Sequence, residues 1–190
     1  MLSDAEPRPA GGSAKHNSVE EKTVAIEDDV RYLLDRLEIQ DKITLYGFGQ
    51  DLHQADAENK NILEEWNHIF APEVVIDVTS LGVGVFNLQE YAELMRGEGL
   101  KGGGLEVNFK AWQHIEGIGK VEIDGDTATS IALHFHTHEA RNSPANLIDA
   151  GYWHDKWERR EDGWKIVHRR HQSLYTNTYP VIEGPAFLQD

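Results

Sequence analysis

The chain has 190 residues, no cysteine, and a formal net charge of −15 from 18 Lys and Arg against 33 Asp and Glu. The length predicts one domain with tails. The lack of cysteine excludes disulfides, thiolate nucleophiles and cysteine-based metal sites. Because so acidic a surface repels phosphate backbones, we expect no nucleic-acid partner. There is no apolar run of about 18 residues and no secretory-signal pattern, so we expect a cytoplasmic protein that does not enter a membrane.

The N-terminal segment differs in composition from the rest of the chain. Residues 1–24 are rich in Pro, Gly, Ser, Ala and charge, and this composition predicts a disordered tail. From about Glu27, apolar residues recur at the i, i+3, i+4, i+7 spacing of one helix face. The residues on this predicted face are Val30, Leu33, Leu34 and Leu37.

Two further helices are predicted after the first. The second covers 38–54 and contains Gly47 and Gly49, each of which weakens a helix interior by roughly 1 kcal/mol relative to Ala. Such glycines indicate either that a ligand approaches the backbone closely or that two elements cross tightly. The third helix covers 58–70, and Pro72 is predicted to end it.

The C-terminal two thirds of the chain is dominated by β patterns. A β-branched strand is predicted over 74–79, followed by a short helix, Leu88 to Met95, capped by Asn87. After a glycine-rich loop come long strands joined by Asp-Gly turns, which are strong hairpin signals. These strands are predicted over 110–123 (bulged at Gly117 or Gly119), 127–138, 148–160 and 164–175. Helices followed by hairpinned strands predict an α+β domain with a curved sheet folded over the helices.

Asp51 is the most informative single residue. It ends a helical run whose other inward-facing candidates are apolar or aromatic, and a carboxylate there is costly to bury without a partner. His114, on the first long strand, is a plausible partner. A carboxylate that orients an imidazole is a basic unit of general acid–base chemistry.

The order of elements resembles the nuclear transport factor 2-like superfamily, and two segments resemble its SnoaL-like group. One is Ile39-Gln-Asp with Tyr46 and Asp51 downstream; the other is DKWERREDGWKIVHRR over 155–170. The second is similar to a hairpin of hexachlorocyclohexane dehydrochlorinase, scytalone dehydratase and bile-acid 7α-dehydratase. The resemblance implies a cone-like, curved antiparallel sheet wrapped around N-terminal helices. The SnoaL-like domain would cover 25–179, with a C-terminal tail over 180–190.

The resemblance also implies roles for individual residues. Asp51 and His114 fall at the positions of a catalytic dyad, Tyr46 at that of a catalytic tyrosine, and Arg169 at that of an arginine that supports the dyad. The dehydrochlorinase has aliphatic groups where this chain has His134 and His136, so the resemblance does not define the substrate. The predicted substrate-binding residues are Phe48, Phe70, His134, His136 and Trp153.

His134, His136 and His138 alternate along one strand and therefore share a face. Three imidazoles on one face could bind a metal, but successive residues of such a row lie about 7 Å apart, which strains ligation from one strand. We therefore predict no metal and no cofactor, with His134 and His136 as polar pocket walls and His138 at the surface or the strand end. Metal ligation that also recruits His114 remains the competing hypothesis, because it would remove His114 from acid–base service.

Together these features predict a cofactor-free lyase, cyclase or isomerase that acts on a small, apolar polyketide-, terpenoid- or steroid-like substrate. Two alternatives stay open: a non-catalytic ligand-binding or interaction module, and the small subunit of an oxygenase. A binding module has no need of the Asp51–His114 pair, which favours an enzyme. We also expect a homotrimer or homodimer, because the outer sheet face carries apolar residues and the relatives named above tend to be trimers.

Overall fold

The computed structural model describes residues 14–52 and 61–180. The chain divides into two compact units, Met1–Asp35 and Arg36–Asp190. One continuous helix, α1 (Ala14–Leu52), replaces the first two predicted helices. The part of the predicted tail from Ala14 to residue 24 is therefore helical. The predicted apolar face also differs from expectation, because Val30, Leu33, Leu34 and Leu37 are exposed.

Within the described residues of the second unit, two short α-helices and seven strands follow α1. The helices are α2 (Leu63–Trp66) and α3 (Leu88–Arg96); the strands are β1 (Phe70–Asp77), β2 (Val85–Phe86), β3 (Phe109–Glu116), β4 (Lys120–Asp124), β5 (Thr127–Ala140), β6 (Ala145–Arg160) and β7 (Gly163–Pro180). The sheet order is β2-β1-β7-β6-β5-β3, and β4 also pairs with β5. None of the helices in the described part of the chain has the length and apolar character that a membrane crossing requires.

The sheet is curved and mixed rather than purely antiparallel. The predicted hairpins are present: β4–β5 turns at Gly125 (φ 59°) and β6–β7 at Gly163 (φ 104°), where a left-handed backbone favours glycine. β1, however, runs parallel to β7. A parallel pairing needs a long crossover, and the chain between β1 and β7 provides it.

Local predictions near β1 and β3 require correction. Within the described part of the predicted third helix only Leu63–Trp66 is α-helical, and Phe70 already begins β1. Pro72 therefore does not end a helix. It lies in β1 where the register against β7 shifts, a place that tolerates a residue without an N–H donor. The predicted strand over 110–123 is two strands, interrupted at residues 117–119.

Helix α3 matches its prediction closely, and the reason is local. The Asn87 side chain accepts a hydrogen bond from the backbone N–H of Glu90 at 2.9 Å, and the Glu90 carboxylate accepts one from the backbone N–H of Asn87 at 3.0 Å. This reciprocal capping box satisfies two N–H groups that the first helical turn leaves unpaired. The N-cap at Asn87 was therefore predictable from the sequence alone.

The core between α1 and the sheet is aromatic and encloses one charged pair. The Arg169 guanidinium lies 4.1 Å from the Tyr46 ring centroid, 5.2 Å from that of Phe70 and 4.8 Å from that of Trp153. It donates two 2.8 Å hydrogen bonds to the Asp155 carboxylate. Both side chains are essentially inaccessible to solvent. The bidentate geometry and the ring faces together compensate for burying a cation.

We expect Asp155→Ala to lower the free energy of unfolding by about 3–5 kcal/mol, because it leaves the Arg169 charge buried without its partner. Asp126→Ala is the matched control, since it removes an aspartate–arginine pair with Arg159 on the protein surface, where such pairs contribute little. Chemical denaturation of both variants measures the difference. A loss for Asp155→Ala no larger than that for Asp126→Ala would contradict the structural role assigned to this pair.

The outer face of the sheet carries exposed apolar side chains at Ile115, Ile131 and Leu133. These residues lie on neighbouring strands β3 and β5 and point away from the aromatic core. We expect this face to be covered in a homo-oligomer, a trimer before a dimer, and Leu133→Glu to weaken the assembly. Light scattering at micromolar concentration tests this. A mass equal to the 21.5 kDa monomer for the unmodified chain would contradict it.

Candidate active site

A cavity of about 340 Å³ lies between helix α3, the end of α1 and the inner face of the sheet. Most of its wall is apolar, and it includes Leu81, Met95, Leu105, Phe109, Trp112 and Leu147. Five imidazoles also line it, those of His114, His134, His136, His138 and His171. A largely apolar cavity with a few convergent polar groups is the usual form of a small-molecule site.

Asp51 and His114 meet at this cavity. The His114 ring Nδ1 lies 2.7 Å from Asp51 Oδ1, and the His114 backbone N–H donates to Asp51 Oδ2 at 3.0 Å. The His114 side chain is 5 % exposed and that of Asp51 23 % exposed. Both oxygens of the Asp51 carboxylate therefore contact His114, and this fixes the orientation of the imidazole.

The end of α1 is held by two further hydrogen bonds. The Gln50 carbonyl oxygen accepts from Trp112 Nε1 at 3.0 Å and from Arg96 Nη2 at 2.5 Å. Carbonyls near a helix C-terminus need such external donors. Because Gln50 immediately precedes Asp51, the two bonds position the carboxylate.

Glycines allow α1 to approach strand β3 and helix α2 closely. A Cβ atom at Gly47 would lie 2.9 Å from the His114 carbonyl oxygen, and one at Gly49 would lie 2.9 Å from the Cβ of Glu65. Carbon atoms normally keep contacts of about 3.5–4.0 Å. Of the two interpretations of these glycines, the structure therefore shows tight packing of the chain's own elements.

Desolvation lowers the pKa of His114, and the neighbouring Asp51 opposes this by favouring the charged ring. The imidazole is thus neutral at pH 7. Its Nδ1 faces a carboxylate oxygen, so the proton lies on Nδ1 and the lone pair on Nε2. This is the tautomer that can accept a proton from a molecule in the cavity.

His136 and Glu116 form a second buried pair behind His114. His136 Nε2 lies 2.9 Å from Glu116 Oε1, and the His136 and His114 rings are 4.2 Å apart. Burial raises the pKa of Glu116 to about 8, and burial lowers that of His136 well below its ordinary value. A protonated Glu116 carboxyl therefore donates to a neutral His136 at neutral pH.

A third cluster occupies another part of the cavity wall. His134 Nε2 and His171 Nε2 are 2.8 Å apart, and Asp149 Oδ2 lies 3.4 Å from the first and 3.2 Å from the second. Desolvation lowers the pKa of His134 to about 3. The Asp149 carboxyl also has a lowered pKa, because hydrogen bonds and the two imidazoles outweigh its desolvation.

Sequence reasoning missed His171 and Asp149, although strand alternation carried a signal for both. Asp149 lies four residues before Trp153 on β6, and His171 lies two after Arg169 on β7, so each shares the inner face of a residue predicted to face inward. What the sequence lacked was the register that pairs Trp153 with His171 and His136 with Asp149.

The remaining predicted site residues divide into two groups. His134, His136 and Trp153 line the cavity, as does His138, which was wrongly expected at the surface or strand end. Tyr46, Phe70 and Arg169 do not line it but lie in the aromatic core, and Phe48 is 60 % exposed.

Phe48, Tyr46 and Arg169 lie outside the cavity for different physical reasons. Phe48 is two residues from the buried Tyr46, hence about 200° around the helix. The Tyr46 hydroxyl contacts that of Tyr91 at 3.3 Å, and burial raises the pKa of Tyr46 well above its ordinary value. Arg169 pairs with Asp155 rather than with the dyad.

Comparisons with solved structures show the same fold. The hexachlorocyclohexane dehydrochlorinase of Novosphingobium barchaimii is 17 % identical, covers 83 % of this chain and 98 % of its own, and superposes with a TM-score of 0.66. A protein assigned as a scytalone dehydratase, from Novosphingobium aromaticivorans, is 16 % identical over 80 % of this chain and 91 % of its own, with a TM-score of 0.62. At these identities the likeness establishes fold alone.

Sequence comparison identifies the family. An uncharacterized protein of Mycobacterium tuberculosis is 28 % identical over 145 residues, which are 74 % of this chain and 86 % of the relative. The family model described as the SnoaL-like domain matches residues 31–170. That match spans most of the chain, including both residues of the dyad. The protein therefore belongs to the SnoaL-like domain family.

Proposed function

We propose that this protein is a lyase or isomerase in which His114 acts as a general base on a small, largely apolar molecule. The single observation that carries the proposal is the Asp51–His114 pair, a neutral imidazole fixed by both oxygens of one carboxylate at the wall of a cavity. A positioned base of this kind contributes about 10²–10⁴-fold to the rate of a proton transfer.

The proposed chemistry begins with removal of an acidic C–H proton by His114 Nε2. The C–H electrons form a carbon–carbon double bond, and the leaving group departs with its bonding electrons, as chloride or, after protonation, as water. Asp51 stabilises the imidazolium that forms. If no leaving group is present, return of the proton to another atom gives isomerisation.

The substrate class follows from the cavity wall. The apolar side chains favour a hydrophobic skeleton, whereas the imidazoles and Asp149 provide polar contacts for an oxygen-bearing substituent. Two structural neighbours support this choice, since one is a dehydrochlorinase and another is assigned as a dehydratase. A polyketide-, terpenoid- or steroid-like β-hydroxy or β-halo carbonyl compound meets these requirements.

The test is a panel of such compounds incubated with the protein in D₂O. We expect deuterium incorporation at the acidic carbon, together with formation of the unsaturated product, for the compounds that fit. His114→Ala should reduce the rate by about 10²–10⁴-fold. Asp51→Asn should reduce it strongly as well, since the equivalent change in serine proteases lowers kcat about 10⁴-fold by disfavouring the productive tautomer.

His154→Ala is the matched control for these variants. His154 is also a strand histidine, but it hydrogen bonds to Gln172 at 2.7 Å and does not line the cavity. Its loss should leave the exchange rate unchanged. An undiminished exchange rate in folded His114→Ala protein would show that His114 is not the general base. Binding of panel compounds with neither exchange nor product formation by the unmodified chain would favour a non-catalytic module instead.

The protonation of His114 gives a substrate-free test. We expect NMR titration to place its pKa below the ordinary value of about 6.5, because desolvation outweighs Asp51. Asp51→Asn should lower it further, since the variant removes a negative charge that favours imidazolium, while Arg96, His136 and His138 still face the ring.

Asp77→Asn serves as the control for this titration. Asp77 lies at the end of β1, where its carboxylate accepts hydrogen bonds from Thr79, and it does not line the cavity. We expect the pKa of His114 to be the same in this variant as in the unmodified chain. A His114 pKa that rises in Asp51→Asn would contradict the assigned interaction.

A further inference from the structure

We propose that His134, Asp149 and His171 form a binding site for one divalent transition-metal cation at the cavity wall. The inference concerns binding at this cluster and does not depend on proton transfer by His114. It also departs from the expectation of no metal, which considered the row formed by His134, His136 and His138, with or without His114. In the structure His136 is engaged by Glu116 at 2.9 Å, so the row itself does not form the site.

The geometry of the three donor atoms is the first argument. His134 Nε2, His171 Nε2 and Asp149 Oδ2 form a triangle with sides of 2.8, 3.2 and 3.4 Å. Ligand atoms about 2.0–2.2 Å from a common cation, at octahedral or tetrahedral angles, are themselves separated by about 2.8–3.6 Å. The three atoms therefore already have the spacing of ligands around one ion.

The surroundings of the donors are the second argument. The nitrogen of His171 that faces away from the triangle, Nδ1, lies 2.5 Å from Ser80 Oγ, and Ser173 Oγ donates to the other oxygen of Asp149 at 3.2 Å. Metal ligands characteristically have such outer partners, which fix the ring and the carboxylate. His171 and Asp149 are thus oriented by Ser80, in the segment after β1, and by Ser173 of β7, whereas His134 Nδ1 has no hydrogen-bond partner among the described residues.

Packing holds the two imidazole rings in place. The Trp153 ring lies 5.4 Å from that of His134 and 4.9 Å from that of His171. Residue 151, directly opposite His134 across the β5–β6 pair, is glycine. A Cβ atom there would collide with the Gln172 carbonyl oxygen and would lie 3.1 Å from His134 Nε2, so both the β6–β7 pairing and the His134 ring require glycine at this position.

Two imidazoles and one carboxylate determine the class of ion. This donor set suits zinc, iron, cobalt, nickel or copper better than calcium or magnesium, which prefer oxygen ligands throughout. All three residues line the cavity. A cation held by them would retain coordination positions directed at the cavity, where water or an oxygen atom of a bound molecule could complete the shell.

The alternative is a hydrogen bond without a metal. His134 Nε2–H would donate to His171 Nε2, whose Nδ1–H would donate to Ser80. This arrangement accounts for the 2.8 Å edge of the triangle, and an Nε2–H group shared with Asp149 Oδ2 would account for the other two edges. The two possibilities predict different behaviour toward added metal.

The experiment uses tag-free, full-length protein stripped with a chelator and titrated with Co²⁺. Visible absorption of the bound ion and calorimetry report the stoichiometry and affinity. We expect one Co²⁺ per chain, displaced by Zn²⁺. His171→Gln and Asp149→Asn should each weaken binding by more than the roughly 10–100-fold that loss of an outer partner causes, and Ser173→Ala should weaken it within that range.

His138→Gln is the matched control, because His138 lines the same cavity but lies outside the triangle. It should leave Co²⁺ affinity unchanged. The Ser173→Ala variant removes one hydroxyl, so its result stands even if a ligand variant fails to fold. Absence of saturable Co²⁺ binding to the unmodified chain would overturn the site and leave the hydrogen-bonded imidazole pair. Equal loss in His138→Gln, or full binding by both folded ligand variants, would also overturn it.

Discussion

The two hydrogen bonds between Asp51 and His114 are the interaction on which the rest of this site depends. A carboxylate at the edge of an apolar cavity requires donors, and both of its oxygens find them on one residue of β3. That contact requires α1 to lie directly against β3, which Gly47 permits because a side chain there would collide with the His114 carbonyl. The Gln50 carbonyl accepts hydrogen bonds from Trp112 and Arg96. These bonds fix the position of the end of α1 relative to β3.

The same dry environment sets the protonation state of the other groups. Burial lowers the pKa values of His134, His136 and His138 and raises that of Glu116, so these rings at the wall are neutral and the carboxyl behind them is protonated. Neutral imidazoles can accept protons or bind cations, whereas imidazolium can do neither. The cavity therefore offers a base on β3 and a donor cluster spanning β5, β6 and β7, and a molecule bound in it would contact both.

The elements that were predictable from sequence depend on local chemistry. The Asn87 capping box and the two Asp-Gly hairpins, one of which is the family hairpin over 155–170, each depend on residues close together in the chain, and the structure contains them. The predictions that failed concern contacts set by strand pairing between residues far apart in the chain. The parallel β1–β7 contact placed Phe70 in a strand, and the β6–β7 register brought His171 to Asp149 and His134. The Asp51–His114 contact was predicted through the family resemblance, whereas Phe48 was misplaced because the resemblance did not fix which side of α1 faces the sheet.

The central claim is that Asp51 holds His114 as the tautomer with its proton on Nδ1 and its lone pair on Nε2, facing the cavity. The most direct measurement is ¹⁵N NMR of the His114 ring at neutral pH, assigned by comparison with the His114→Ala variant. The account predicts a protonated Nδ1 coupled to a downfield, strongly hydrogen-bonded proton, and an unprotonated Nε2. A His114 ring with its proton on Nε2, or one fully protonated at neutral pH, would contradict it, because neither form can accept a proton from the cavity.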